Sequence, residues 1–539
     1  MPTHRHRPIG VHLSFLIGFI VLIFGLWMLP VLLAGFPYVL PGFHEEAQVF
    51  MDTGMLPTGN GRLGTLIVWW LHTFLRWQNI IGWSAVSAAA FAAGLVPWWF
   101  SVRRLFDVQV AWLSTVVLGL LPMYWIEALR LSGYSFALFF LFLGFAFFLA
   151  LRPRSRMAAI VAFGVCFGAV LGSRDAFIAL LPWFVCAYVF AERRKLLRAG
   201  IDAAVFLAVA YVSFTLPLFF NALHTQGSLI ERTAVLLPPF ERTVPTPGHL
   251  YPDDYTYEFE RTAFDERLRQ EMKTASFLVR QQNAKMLYHY GVTKNDVVTR
   301  LKNSVWLFLN ALPALFMEDT VGGPFLWLFI IPGIAVLAAE RRKFLAFLMG
   351  LWLSMEFLLR FFFVFGRDHL MDVGWILALL AAVGIVVVAE SVHARWRRSS
   401  LIVLTLGIVI LMSAQLVTAN RKQFARLYAH SEVPEMYAAE EVLAHLPKGT
   451  VVAHPRKHHL FTFSDRTHVS INRGTVDWLS EEGRLAAPFR HYGVTHIIGY
   501  DEEQTRKILA AVPRVKILPL VERGVPLTPL TKYLLHVVR

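Results

Sequence analysis

The sequence predicts a polytopic α-helical membrane protein of about eleven spans, followed by a small extracytoplasmic α/β domain. Three observations predict it. The 539-residue chain is 56% hydrophobic with a mean hydropathy of +0.52, more apolar than soluble globular chains of this size. Apolar runs of roughly 20 residues, enough to cross a hydrocarbon core about 30 Å thick, recur along the chain up to residue 420. The connectors between runs carry Lys and Arg on alternate turns, as the positive-inside bias requires.

The same distribution explains the net charge of +14, which otherwise invites a nucleic-acid partner. Its cations lie in short connectors next to membrane lipids, so no nucleic-acid partner is expected. The two cysteines, Cys166 and Cys186, both fall inside apolar runs, which excludes a disulfide framework and zinc-finger spacing. There is no G-x-x-x-x-G-K-[ST] loop and no G-x-G-x-x-G after a strand, so ATP-driven transport has no support within the chain.

The basic start, MPTHRHRPIG, leads into an apolar run at 11–34. That run is longer than a signal-peptide core and lacks an A-x-A site, so it reads as an uncleaved helix with a cytoplasmic N-terminus. Residues 35–60 then lie outside. Residues 61–77 are apolar but short, end in Arg76 and carry Trp69, Trp70 and Trp77, which suits an in-plane helix. Further runs follow at 80–100, 108–124, 133–151, 157–173, 176–191 and 200–222. Their basic connectors, at Arg103/Arg104, Arg152/Arg154/Arg156 and Arg193/Arg194/Lys195, fall on the cytoplasmic side. A polar excursion at 223–303 is outside, and its first part is proline-rich. The run 304–317 is read as interfacial or re-entrant, because a span there would put Arg341, Arg342 and Lys343 outside. Spans at 324–339, 344–364, 372–390 and 400–419 complete the bundle. The expected domains are therefore 1–420 in the membrane, with outer loops 35–79 and 223–303, and 421–539 outside. Within the latter, 451–454, 495–500, 515–520 and 533–538 read as short strands, and 433–447 as an amphipathic helix.

The chemistry-bearing stretch is FHEEAQVFMDTG at 43–54. Glu45 and Glu46 sit beside Val49, Phe50 and Met51 at a water-poor interface, where desolvation raises a carboxylate's pKa toward that of a useful general base. Ordinary acids at a helix start are the bland alternative. His44 could orient a carboxylate or simply occupy the interface. Cations predicted on the same outer side are Arg62, Arg130, Arg174 beside Asp175, and Arg367 followed by Asp368 and His369. Each can hold a phosphate or only snorkel to headgroups. Glu356 and Arg360, spaced i, i+4 inside an apolar run, are either functional or a structural ion pair. Asp253 and Asp254 offer the hard oxygens of a divalent-cation site without a full ligand set, so no metal ligands are assigned.

The pattern resembles the GT-C integral membrane glycosyltransferases, a group with protein mannosyltransferases, aminoarabinose transferases and rhizobial lipopolysaccharide glycosyltransferases. The carrying residues are Glu45-Glu46-Ala47-Gln48, where the family has an Asp-Glu-Ala-like motif, then Gly61-Arg62-Leu63-Gly64 before Trp69-Trp70, and Arg367-Asp368-His369-Leu370 before a Leu/Ala-rich span. The departures are Glu45 for the usual Asp, Asp368 for an aromatic, and no Asp in LRLSGYSFALFF. The resemblance implies inverting transfer of a sugar from a polyprenyl-phosphate-linked donor to a lipid, glycan or protein acceptor. On it, Glu45 is the base, Glu46 supports it, and Arg62, Arg174 and Arg367 hold phosphate. The loop 223–303 would close over the donor, and the tail domain would help select the acceptor. A bacterial inner membrane, with the tail periplasmic or extracellular, is the expected location. A transporter or flippase of lipid-linked saccharides, and a non-catalytic scaffold, are the alternatives. The first would favour internal symmetry, which the chain lacks. The second leaves the acidic pair and outer arginines without a role.

Overall fold

The computed structural model describes residues 9–34, 63, 66–67, 80–129, 133–192, 195–224, 249–250, 301, 305, 308–309, 315–316, 324–362, 371–391, 397–429, 446–447, 449–455, 467–471, 473–518 and 534–537. The chain forms two compact units. One comprises Met1–Val39, Gly59–Pro239 and Lys294–Lys422; the other comprises Leu40–Thr58, Phe240–Thr293 and Gln423–Arg539.

The first unit is a helical bundle. Its helices are α1 (Ile9–Ala34), α2 (Ile80–Leu105), α3 (Val108–Leu120), α4 (Pro122–Leu129), α5 (Tyr134–Leu151), α6 (Arg156–Ser173), α7 (Leu181–Ala191), α8 (Leu196–His224), α9 (Trp327–Glu340), α10 (Arg342–Phe362), α11 (Met371–Ser391) and α12, which begins the stretch Arg397–Ala429. Among the described residues six helices are long and apolar enough to cross a membrane, within α1, α2, α5, α6, α8 and α11. Shorter apolar helices cover Val108–Leu120, Ala176–Ala191, Pro324–Glu340 and Ile402–Gln415.

Two of the expected runs are interrupted for local reasons. The run 108–124 breaks at Leu121, whose backbone is extended (ψ 121°) because the next residue is Pro122. The run 176–191 opens with a 3-10 turn, Asp175–Leu180, before α7. Side-chain contacts show how the helices run. Trp27 of α1 meets Phe91, and His12 meets Trp99, so α1 and α2 are antiparallel. Ser87 donates to Ser135, and Trp98 packs on Phe142, so α2 and α5 are parallel. Ser354 donates to the Ala179 carbonyl and Trp183 Nε1 to that of Phe347, so α10 runs antiparallel to the 3-10 turn and α7.

One bundle end therefore gathers the start of α1 with Leu105, Arg152, Arg156, Glu192 and Arg341. Arg341 donates to the Leu105 carbonyl at 2.6 Å and lies over the Phe106 ring. Arg152 meets Glu192 at 3.1 Å. Arg156 pairs with buried Asp202, which also accepts from Tyr188 Oη at 2.6 Å. α9 and α11 approach through Gly333 and Gly384, where a methyl on either would overlap the other helix's backbone carbonyl. This is the small-residue contact that lets membrane helices close on one another without a hydrophobic drive.

The second unit contains a six-stranded sheet ordered β1-β3-β2-β4-β6-β5, with β1 (His249–Leu250), β2 (Val451–His454), β3 (Thr467–Ser470), β4 (His496–Ile497), β5 (Val515–Leu518) and β6 (Leu534–Val537). β1, β3, β2 and β4 are parallel; β6 is antiparallel to both neighbours. Helices α13 (Arg473–Glu481), α14 (Ala486–His491) and α15 (Glu502–Ala511) cover the face that carries Ala453, Val469, Ile497 and Leu535. The excursion at 223–303 contributes β1 to this sheet, and β3 also lies outside the strands legible in the sequence.

Candidate active site

Of the residues that the sequence assigns to the site, the described residues contain Arg174, and they also contain the intramembrane candidate Glu356. His44, Glu45, Glu46, Arg62, Arg130, Arg367 and His369 lie outside them, as do Asp253, Asp254 and most of 304–317.

Arg174 ends α6. Its N–H closes the last helical turn on Val170 and its backbone is extended (φ −151°, ψ 106°), so the side chain leaves the helix axis. The guanidinium lies over the Tyr134 ring, 4.5 Å from the centroid, and Nη2 donates to Tyr134 Oη at 3.1 Å. Tyr134 is buried and is itself fixed by the start of α5. The preceding residue, Gly133, has φ 73°, a left-handed conformation that glycine adopts without the penalty of a Cβ. The stacking and the hydrogen bond hold the planar fork in one orientation, which is what two-point recognition of a phosphate needs.

Two further features sit at this end of α6. Leu63, next in sequence to Arg62, lies beside Gly172, within van der Waals reach of a methyl placed there. Glu356 is 3% exposed and lies just beyond Ser354 on α10, the residue hydrogen-bonded to Ala179. The antiparallel course of α10 therefore carries Glu356 toward the Arg174 end of the bundle. Arg174 and Arg156 bracket α6, and its 18 residues span about 27 Å, close to the thickness of a hydrocarbon core.

Sequence reasoning missed Tyr134 as the partner of Arg174. The available signal was a glycine-aromatic pair opening an apolar run, GYSFALFF, with the arginine one helical hairpin later. Among the described residues no group of three His, Cys, Asp or Glu could hold a metal ion. In the second unit, burial lowers the pKa of His496 to about 4, helped by His536, whose ring centroid is 4.8 Å away.

The fold is that of the GT-C membrane glycosyltransferases. The chain superposes on ArnT from Cupriavidus metallidurans bound to undecaprenyl phosphate with a TM-score of 0.58 and 12% identity, covering 98% of each chain. The apo state of the same protein gives 0.55 over the same coverage. The oligosaccharyltransferase AglB from Archaeoglobus fulgidus, in complex with an inhibitory peptide and a dolichol-phosphate, gives 0.50 at 13% identity, covering 85% of this chain. The chain spans 64% of that enzyme's length. No protein-family model and no curated protein matches the sequence.

Proposed function

We propose that this protein is an inverting membrane glycosyltransferase that moves a sugar from a polyprenyl-phosphate-linked donor to a lipid, glycan or protein acceptor on the outer face. The observation that carries the reading is Arg174, held against buried Tyr134 at one end of the bundle, in a fold whose solved members include ArnT bound to undecaprenyl phosphate. On this reading Glu45 takes the acceptor hydroxyl proton while the oxygen attacks the anomeric carbon. The bond from that carbon to the phosphate oxygen breaks on the opposite face, and polyprenyl phosphate leaves with the electron pair. Arg174, with Arg62 and Arg367, offsets the charge growing on the phosphate. Glu46 and His44 hold Glu45 in position, while Arg130 and His369 contact the donor.

The cationic bundle end then faces the cytoplasm. About eleven spans, counting the four shorter apolar helices and α10 with the six long ones, place the N-terminus inside and 421–539 outside, in the expected bacterial inner membrane. The test is radiolabel transfer from polyprenyl-phosphate sugars to endogenous membrane acceptors, comparing wild type with Glu45→Gln at matched expression. Transfer lost in the variant supports the mechanism. Equal transfer removes Glu45 from it. No transfer by wild type from any of a panel of donors favours a transporter or scaffold.

A further inference from the structure

A cavity of about 880 Å³ lies within the bundle at the cationic end, between α2, α5, α6, α7, α8, α10 and α11. Its volume falls inside the ~300–1,000 Å³ range of ligand sites. It is at the far end of α6 from Arg174, so it is separate from the site described above. Its depth is aromatic: Trp98, Phe184 and Trp375 are all buried. Among the described residues Trp98 Nε1 has no hydrogen-bond partner, while other polar side chains in the wall are occupied by the protein. Ser101 donates to the Pro97 carbonyl, Trp183 to that of Phe347, and Tyr188 to Asp202, which also pairs with Arg156. Such a wall has little to offer a polar molecule and suits a hydrocarbon chain.

The rim is different. Lys343 is exposed and has no carboxylate partner among the described residues. Arg152 also borders the opening; it meets Glu192 but keeps half of its side chain exposed. Phe190, 63% exposed, lies on the same rim and presents an apolar edge outward. An apolar chamber with a cationic mouth at one bundle end has the shape and charge of a lipid seat, with acyl chain inside and phosphate at the lysine.

We propose that this cavity binds one anionic phospholipid, with its headgroup phosphate on Lys343 and Arg152 and an acyl chain between Phe184 and Trp375. The occupant is a membrane lipid rather than a substrate, since the cavity opens at the end opposite Arg174. Binding would tie α7 to α10 at the point where Trp183 already bridges them.

The test uses the full-length protein in detergent. Native mass spectrometry would measure retention of phosphatidylglycerol against phosphatidylethanolamine with the same acyl chains. The expected result is one tightly held phosphatidylglycerol, with affinity falling on the order of tenfold in Lys343→Glu and little in Lys343→Arg. Ala203→Phe, which fills the chamber wall, should reduce retention of the anionic lipid. Photocrosslinking with a diazirine-bearing phosphatidylglycerol keeps the test independent of variant folding, and adducts should map to 183–191 and 343–348 of wild type. Equal retention of the two lipids, unchanged affinity in folded Lys343→Glu, or adducts confined to other segments would overturn the proposal. So would displacement of the bound lipid by stoichiometric polyprenyl phosphate, which would make the cavity a carrier site.

Discussion

Replacing Arg174 tests the donor-binding part of the mechanism most directly. Its guanidinium is held against Tyr134 through the 3.1 Å hydrogen bond and the stacked ring. Two charge-assisted hydrogen bonds to a phosphate are worth about 1.5–3 kcal/mol each. Arg174→Ala should therefore lower kcat/KM for the polyprenyl-phosphate donor by roughly 10²–10⁴. Arg174→Lys keeps the charge but loses the fork, leaving one bond, so the loss should be about 10–10². Tyr134→Phe removes one neutral hydrogen bond while keeping the stack, and about 0.5–1.5 kcal/mol translates to a two- to tenfold loss. The assay is radiolabel transfer at varied donor concentration in membranes with matched expression, with thermal melting as the control for folding. The graded order Ala, Lys, Phe is the signature of an oriented phosphate ligand. If Arg174→Ala folds and transfers sugar at the wild-type rate, Arg174 only anchors the end of α6 and the reasoning fails.

Glu45→Gln should cut transfer by about 10²–10⁴, the range of a general base, with donor binding kept within a few-fold; a fall in donor affinity alone would contradict the base assignment. Gly384→Ala drives a methyl into the Phe329 carbonyl, so the α9–α11 contact must open, and a lower melting temperature in detergent, with a cost of about 1–3 kcal/mol, is expected. Asp202→Ala leaves Arg156 without its buried carboxylate and should destabilise the bundle by about 3–5 kcal/mol, whereas joint replacement of Arg156 and Asp202 by apolar residues should recover most of it. His496 has its folded pKa lowered from 6.5 to about 4, so the unfolded chain binds the extra proton between those values. Stability of the sheet unit is then full above 6.5 and lost as pH falls toward 4; amide exchange at β4 should quicken over that window in wild type, and His496→Phe should flatten the dependence.

The chain's class and the position of its helices were legible because burial in lipid demands long apolar runs. The expected run 80–100 became Ile80–Leu105, 133–151 became Tyr134–Leu151, and 157–173 became Arg156–Ser173. Where backbone chemistry intervenes, the break was also written locally, as Pro122 shows, though hydropathy alone reads through it. The tail was harder. THVS at β3 and His249–Leu250 at β1 are too short and too polar to show a period of two, and their pairing joins residues more than 200 positions apart.

What the sequence determined by itself was the membrane class, the alternation of basic connectors and the candidate chemistry of Glu45, Glu46 and the arginines, because each depends on residue type and nearest neighbours. The tertiary structure decided which groups meet. Arg174 is set on Tyr134, Arg156 and Tyr188 on Asp202, and Arg341 against Leu105, by helix packing that brings together positions between 14 and 236 residues apart. The Lys343 cavity belongs to that second kind. Its apolar wall and its cationic rim come from seven helices, and no single stretch of sequence contains the whole of it.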